Sequence, residues 1–242
     1  MIILLTACIN PNGMSFTSLN DPKERKEQYV NAINFYLARC NYPIVFVENT
    51  GTDISNLFTS AIQSGRMEYL SFIGNKEKER GKGYGECEII QYALENSQII
   101  HSTNDKRIAK ITGRLVIENV VFILEFVNLV FSKRTTICSI NNDYSYADSR
   151  FFIASVSFFQ EFLKNKELIN DAKGYYFEHA LYDTIKNKIS YPFVPFLIMP
   201  QVIGVSGSTG EVYHKKSQTI HSRLAYAKHA LYQKYQFIKM YR

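Results

Sequence analysis

Short apolar runs alternate with polar segments that carry helix-start signals through the first half of the chain. Ile2 to Cys8 is an almost unbroken apolar stretch, the pattern of a parallel strand buried on both faces. Asp21-Pro22-Lys23-Glu24 predicts a helix start, with Asp as N-cap, Pro in the first turn and an acid beside the free amides. Tyr29, Ile33, Tyr36, Leu37 and Cys40 follow at helical spacing, so this helix has one buried face. Ile44 to Val47 predicts a second strand ending at Glu48-Asn49-Thr50-Gly51, Ser55 to Ser64 a second helix, and Tyr69 to Ile73 a third strand. A loop from Asn75 to Gly85, a helix from Glu86 to near Ile100 and an apolar strand closing on Lys110-Ile-Thr-Gly-Arg114 complete the series. This alternation predicts an α/β fold, a doubly wound, mostly parallel sheet with helices on both faces. Ligands of such sheets bind beyond the carboxyl ends of the strands.

The pattern is less regular afterwards. Leu115 to Phe131 is the most apolar stretch, but Glu118, Asn119, Glu125 and Asn128 interrupt it, so it reads as a buried helix and not a membrane span. Thr135 to Ile140 predicts a strand, Phe151 to Leu163 a strand and then a helix, and Gly174 onward another helix with Glu178 near its start. Pro192, Pro195 and Pro200 punctuate an extended run, and Gly204 to Gly210 is a loop fit to be a lid or a linker. From Ser217 onward Ile220, Leu224, Ala227, Leu231, Tyr235 and Ile238 recur at helical spacing among lysines and histidines. Such a basic amphipathic helix either packs on its own domain or lies on an acidic membrane face. The expected division is a domain over 1–190 and a loop-plus-helix tail over 191–242.

Composition agrees with a packed core: 46% of the 242 residues are hydrophobic and 14% aromatic. Cysteines at 8, 40, 87 and 138 lack metal or redox spacing and read as reduced core residues of a cytosolic protein. Charge changes the picture more. The net charge is +6, yet residues 212–242 hold seven Lys or Arg and no acid, which leaves −1 for the rest. An anionic partner of general charge, membrane or nucleic acid, would therefore meet the tail.

Candidate chemistry gathers at the strand ends. Gly81, Gly83 and Gly85 stand among Lys76, Lys78, Arg80 and Lys82, ahead of a helix whose free amides point back at them. With Lys110 and Arg114 this predicts a diphosphate site; a solvated surface loop is the bland alternative. Glu178 stands in Tyr175-Tyr-Phe-Glu-His179, where desolvation would raise its pKa toward general-base duty. Otherwise it is an ordinary first-turn acid. Asp148-Ser149-Arg150 is either a sugar-binding triplet or a surface ion pair.

This order of elements resembles the GT-A class of nucleotide-sugar glycosyltransferases, especially bacterial enzymes of capsule and O-antigen synthesis, over roughly residues 1–190. Lys110-Ile-Thr-Gly-Arg114 is similar to a motif in a subset of capsule-type transferases. The resemblance implies a GT-A-like sheet in which Thr6, Ala7, Cys8, Glu48 and Asn49 hold base and ribose. It implies Lys82, Gly83, Lys110, Thr112, Gly113 and Arg114 at the donor diphosphate, with Arg150 at the donor or acceptor sugar. It makes Glu178 the base that deprotonates the acceptor, with Asp143 or Asp148 as substitutes. The family's Asp-x-Asp metal motif is absent, and Asn141-x-Asp143 is at best a degenerate form. The expectation is therefore transfer without a bound divalent metal, with Lys82, Lys110 and Arg114 in place of Mn²⁺ or Mg²⁺. The implied partners are a nucleotide-sugar, a glycan or lipid-linked glycan acceptor and an anionic membrane surface met by 212–242, in the cytoplasm, with no nucleic acid. The rival readings are a sugar nucleotidyltransferase and a non-enzymatic nucleic-acid-binding protein.

Overall fold

The computed structural model describes residues 1–13, 17–103, 106–207, 209–214 and 218–241. The tail cations Lys215, Lys216 and Arg242, and Ser208 of the 204–210 loop, lie outside the described residues. In chain order the elements are β1 (Ile2–Ala7), α1 (Pro22–Arg39), β2 (Ile44–Glu48), α2 (Thr59–Gln63), β3 (Met67–Ser71), α3 (Lys82–Asn96), α4 (Gln98–Ser102) and β4 (Arg107–Thr112). There follow β5 (Val116–Ile117), α5 (Val120–Val130), β6 (Thr136–Ile140), β7 (Ala147–Ser155), α6 (Val156–Leu163), α7 (Phe177–Asn187), β8 (Phe193–Val194), β9 (Val202–Val205), β10 (Val212–Tyr213) and α8 (Ile220–Tyr241).

The main sheet runs β3-β2-β1-β4-β7-β6-β8. β1 to β4 are mutually parallel, and β7 runs antiparallel to both β4 and β6. The fold is thus a mixed, mostly parallel α/β sheet flanked by helices, with a long C-terminal helix. Side-chain alternation along each strand divides the core in two. Ile2, Leu4, Val45 and Val47 pack with α3, α6, α7 and Phe237 of α8. Ile3, Leu5, Ile44 and Phe46 pack with α1 and α5 on the opposite face. β8 brings residues beyond 190 into the main sheet. β5, β9 and β10 form a small sheet of their own.

The α1 start is as the sequence predicts: the Asp21 side chain accepts from the Lys23 amide at 2.9 Å. Two helices differ from expectation. α3 begins four residues before the predicted Glu86, so Gly83 and Gly85 belong to its first turns and not to a loop. α5 buries Val120, Ile123, Leu124 and Val127 but leaves Phe122, Leu129 and Val130 exposed, so it is half-buried. Among the described residues no helix is long and apolar enough to cross a membrane.

Candidate active site

Strand register places the site. Thr6 pairs with Thr112, Ala7 with Glu48, and Glu48 with Ser71, so the carboxyl ends of β4, β1, β2 and β3 form one rim. A narrow cleft of about 90 Å³ opens there, lined by Thr6, Ala7, Cys8, Arg25, Asn49, Asn75, Lys82, Glu86, Thr112 and Arg114. A wider cavity of about 460 Å³ adjoins it, lined by Asp148, Ser149, Arg150, Glu178 and Tyr213. Lys82, Glu86, Thr112, Arg114 and Gly207 line both, so the two are one continuous groove with these residues at the junction.

Two desolvated cations sit at that junction. Burial pushes the Lys82 ammonium below its usual range, against the opposing pull of Glu178, Asp171 and Glu86. Burial likewise lowers the Arg114 guanidinium, which donates to the Val205 carbonyl on β9. Gly207 packs so close to that guanidinium that a side chain there would collide with it. Ser206 and Gly207 therefore form a wall of the groove.

Glu178 enters the wider cavity from the first turn of α7. Burial raises its carboxyl above the usual range, opposed by the Ser149 hydroxyl, which donates to Oε1 at 2.5 Å. Ser149 is a bridge, because its carbonyl accepts from Lys110 Nζ at 2.6 Å. Asp148 and Arg150 form a bidentate ion pair on the same wall, and the guanidinium lies 4.8 Å from the centre of the Tyr213 ring.

Several expected ligand contacts are turned inward. Lys110 is 0% exposed, pairs with Glu86 and faces Phe152 and Phe177, so it lines neither part of the groove. Glu48 is also fully buried. It accepts from the amides of Ile9, Thr50 and Thr52 and thereby shapes the rim loops instead of facing a ligand. Gly113 donates its amide to the Thr6 carbonyl at 2.9 Å and joins β4 to β1. Asp143 lies outside the groove; its carboxylate closes the 141–146 turn by accepting from Ser145, which holds it below the usual range.

The glycine-rich segment is corrected in the same way. Gly81 has φ +91° and Gly83 lies where an added Cβ would be 2.9 Å from Asp171 Oδ1 and 3.1 Å from the Phe177 amide. The Gly83 amide donates to Asp171 Oδ2 at 3.2 Å. The anion at the start of α3 is thus the chain's own carboxylate, and the glycines admit it. Arg80 is bound by Glu77, Glu167 and the Ile169 carbonyl, and Lys78 donates to the Asn12 carbonyl, so neither belongs to the groove.

No protein-family model and no curated protein matches the chain. Among solved structures it is similar to a cytidylyltransferase from Leptospira borgpetersenii, with 12% identity over 99% of this chain and 92% of that one at a TM-score of 0.42. It is similar to a nucleoside-diphosphate-sugar pyrophosphorylase from Vibrio cholerae, with 12% identity over 81% and 92% of the two chains at 0.41. It is also similar to core-mannan synthase A from Aspergillus fumigatus in its Mn/GDP form, with 10% identity over 94% and 85% at 0.39. Likenesses this distant carry no weight for the reaction.

Arg25, Glu86 and Asp171 went unread in the sequence. Arg25 donates to the Cys8 and Leu19 carbonyls and stands one turn before Tyr29 on the buried stripe of α1, a signal that was available. Glu86 stands one turn after Lys82 on α3 and accepts from the Thr6 hydroxyl at 2.9 Å. Asp171 had no signal; Asn170-Asp-Ala-Lys-Gly174 reads as an ordinary solvent turn. Among the described residues no group of three or more His, Cys, Asp or Glu could hold a metal ion. The acids at the groove already face Lys110, Arg150 or Ser149.

Proposed function

We propose that this protein is a glycosyltransferase of GT-A type that moves a sugar from a nucleotide-activated donor onto a glycan acceptor. The observation that carries this reading is the placement of Lys82 and Arg114 between the narrow cleft and the cavity that holds Glu178. Two cations on the rim of one groove, facing the space where a leaving group would sit, suit a diphosphate. The base and ribose then lie in the cleft beside Thr6, Ala7, Cys8 and Asn49, and the transferred sugar lies in the cavity beside Asp148 and Arg150. The acceptor hydroxyl attacks the anomeric carbon and gives its proton to Glu178. The bond to the diphosphate breaks, and its charge develops against Lys82 and Arg114.

A thermal-shift panel of UDP-, GDP-, CMP- and dTDP-sugars tests this. At least one donor should raise Tm by about 5–10 °C at saturation, the rise should survive EDTA, and Arg114→Ala should abolish it. No rise with any donor would end the proposal. A rise that needs Mn²⁺ would remove the metal-independent form. Release of pyrophosphate from a nucleoside triphosphate and a sugar phosphate would mark a nucleotidyltransferase instead.

The acceptor is proposed to be lipid-linked and part of a bacterial surface glycan, met at the inner membrane face. α8 packs on the body through Ala230, Gln233 and Phe237. That orientation leaves the apolar stripe outward, with Ile220 79%, Leu224 66%, Leu231 53% and Tyr235 62% exposed. Arg223, Lys228, Lys234 and Lys239 accompany the stripe and no acid lies on the helix, the pattern of an interfacial helix on anionic lipid. The full chain should therefore sediment with phosphatidylglycerol vesicles at low salt. The Leu224→Glu/Leu231→Glu variant should stay in the supernatant; equal sedimentation of the two would remove the membrane role.

A further inference from the structure

Beside its docked face α8 has a side face that does not carry the apolar stripe. Its His229, Tyr232, Gln236 and Met240 face Asn142 and Tyr144 of the 141–146 turn across a groove of about 360 Å³. The polar groups on its walls are held in place. Asn142 Oδ1 accepts from Gln233 Nε2 at 3.1 Å and lies 3.2 Å from His229 Nε2. Tyr144 has φ +59°, a strained conformation for a bulky residue, and its hydroxyl donates to the Gln233 carbonyl at 3.5 Å.

The 141–146 turn stands between this groove and the candidate active site. Asn141 and Tyr146, from the same turn, line the wider cavity on its other side. Tyr226 of α8 is hydrogen-bonded to Ser139, which also lines that cavity. The chemistry of the walls selects the occupant. Among the described residues that line the groove none is Lys, Arg, Asp or Glu, so a phosphate chain or a metal finds no charged partner. Tyrosine rings offer flat apolar faces of negative potential, against which the C–H faces of a sugar pack. Amide and imidazole groups offer directional donors and acceptors for hydroxyls.

We propose that this groove holds the distal sugars of an extended glycan acceptor whose terminal hydroxyl sits at Glu178. The proposal rests on the transferase reading and adds to it that the enzyme recognises a chain and not a single sugar. Tyr232 is the principal platform, because it is 58% exposed and contributes a ring without supporting the core.

The test is saturation-transfer NMR on the full chain with linear disaccharides and tetrasaccharides of glucose, galactose, mannose and N-acetylglucosamine. At least one tetrasaccharide should bind about tenfold more tightly than its disaccharide. Tyr232→Ala should remove that gain and leave disaccharide binding and Tm unchanged, whereas Tyr232→Phe should keep it. If no tetrasaccharide outperforms its disaccharide, or if the gain survives in Tyr232→Ala, the groove is not a glycan site. The donor thermal shift on the same preparations separates the two readings. A donor shift without a length gain overturns the groove and leaves the transferase standing. A length gain without a donor shift supports a glycan site and overturns the transferase.

Discussion

Glu178→Gln is expected to lower kcat by about 10²- to 10⁴-fold, the usual contribution of a positioned general base, while the donor-induced rise in Tm persists. The substitution is nearly isosteric. Its amide oxygen can still accept from the Ser149 hydroxyl, so the start of α7 should keep its place. Only the basicity is lost. The pH profile of the wild-type enzyme gives an independent reading. Burial raises the Glu178 carboxyl, and the base acts in its ionised form. Activity should therefore fall about tenfold per pH unit below that raised pKa, and the acidic limb of kcat/KM should lie above the usual glutamate range. The same shift acts on stability: the contribution of protonated Glu178 is present below the ordinary glutamate pKa and is lost as pH rises through the raised value. Near-normal turnover of Glu178→Gln would leave the transferase without its base. Asp148, tied to Arg150, would then be the acid in the cavity to examine.

The parallel half of the fold was legible because each of its strands is an apolar run bounded by polar turns. Register then brought Thr6, Asn49, Thr112 and Arg114 together, as the strand ends suggested. The antiparallel entry of β7 between β4 and β6 was not legible, since a strand buried on both faces reads the same in either direction. Charge was the least legible feature. Lys110 and Glu48 look like ligand contacts in the sequence, but their partners come from elements distant along the chain. Glu86 lies on α3, and the backbone amides that bind Glu48 lie on two separate rim loops. The tail helix shows the same limit from the other side. Periodicity identified its apolar stripe correctly, yet the face that docks is the one carrying Ala230, Gln233 and Phe237, because Phe237 packs against Phe193 and Tyr182.

The Lys110–Glu86 pair, one partner buried and the other at the junction, should give a marked asymmetry in stability. Glu86→Gln removes the counter-charge from an ammonium that is 0% exposed; the amide oxygen can still accept from it, beside the Ser149 carbonyl and the Thr112 hydroxyl at 2.6 and 3.5 Å, but these acceptors are all neutral. Leaving such a charge uncompensated is expected to cost about 3–5 kcal/mol. Lys110→Met removes the charge itself. The remaining carboxylate is 21% exposed, so water can reach it, and it still accepts from the Thr6 hydroxyl. The main loss is then the Ser149 carbonyl left without its donor, about 1–3 kcal/mol. The double variant should be more stable than Glu86→Gln alone, because the uncompensated cation is gone. Urea unfolding of the three variants measures this. Equal losses for the two single variants, or strict additivity in the double, would show that the pair is not the desolvated contact described. The pair also bears on function, since Glu86 stands one turn from Lys82 on α3. Loosening α3 against β4 should displace Lys82, so Glu86→Gln should weaken the donor-induced Tm rise more than Lys110→Met does.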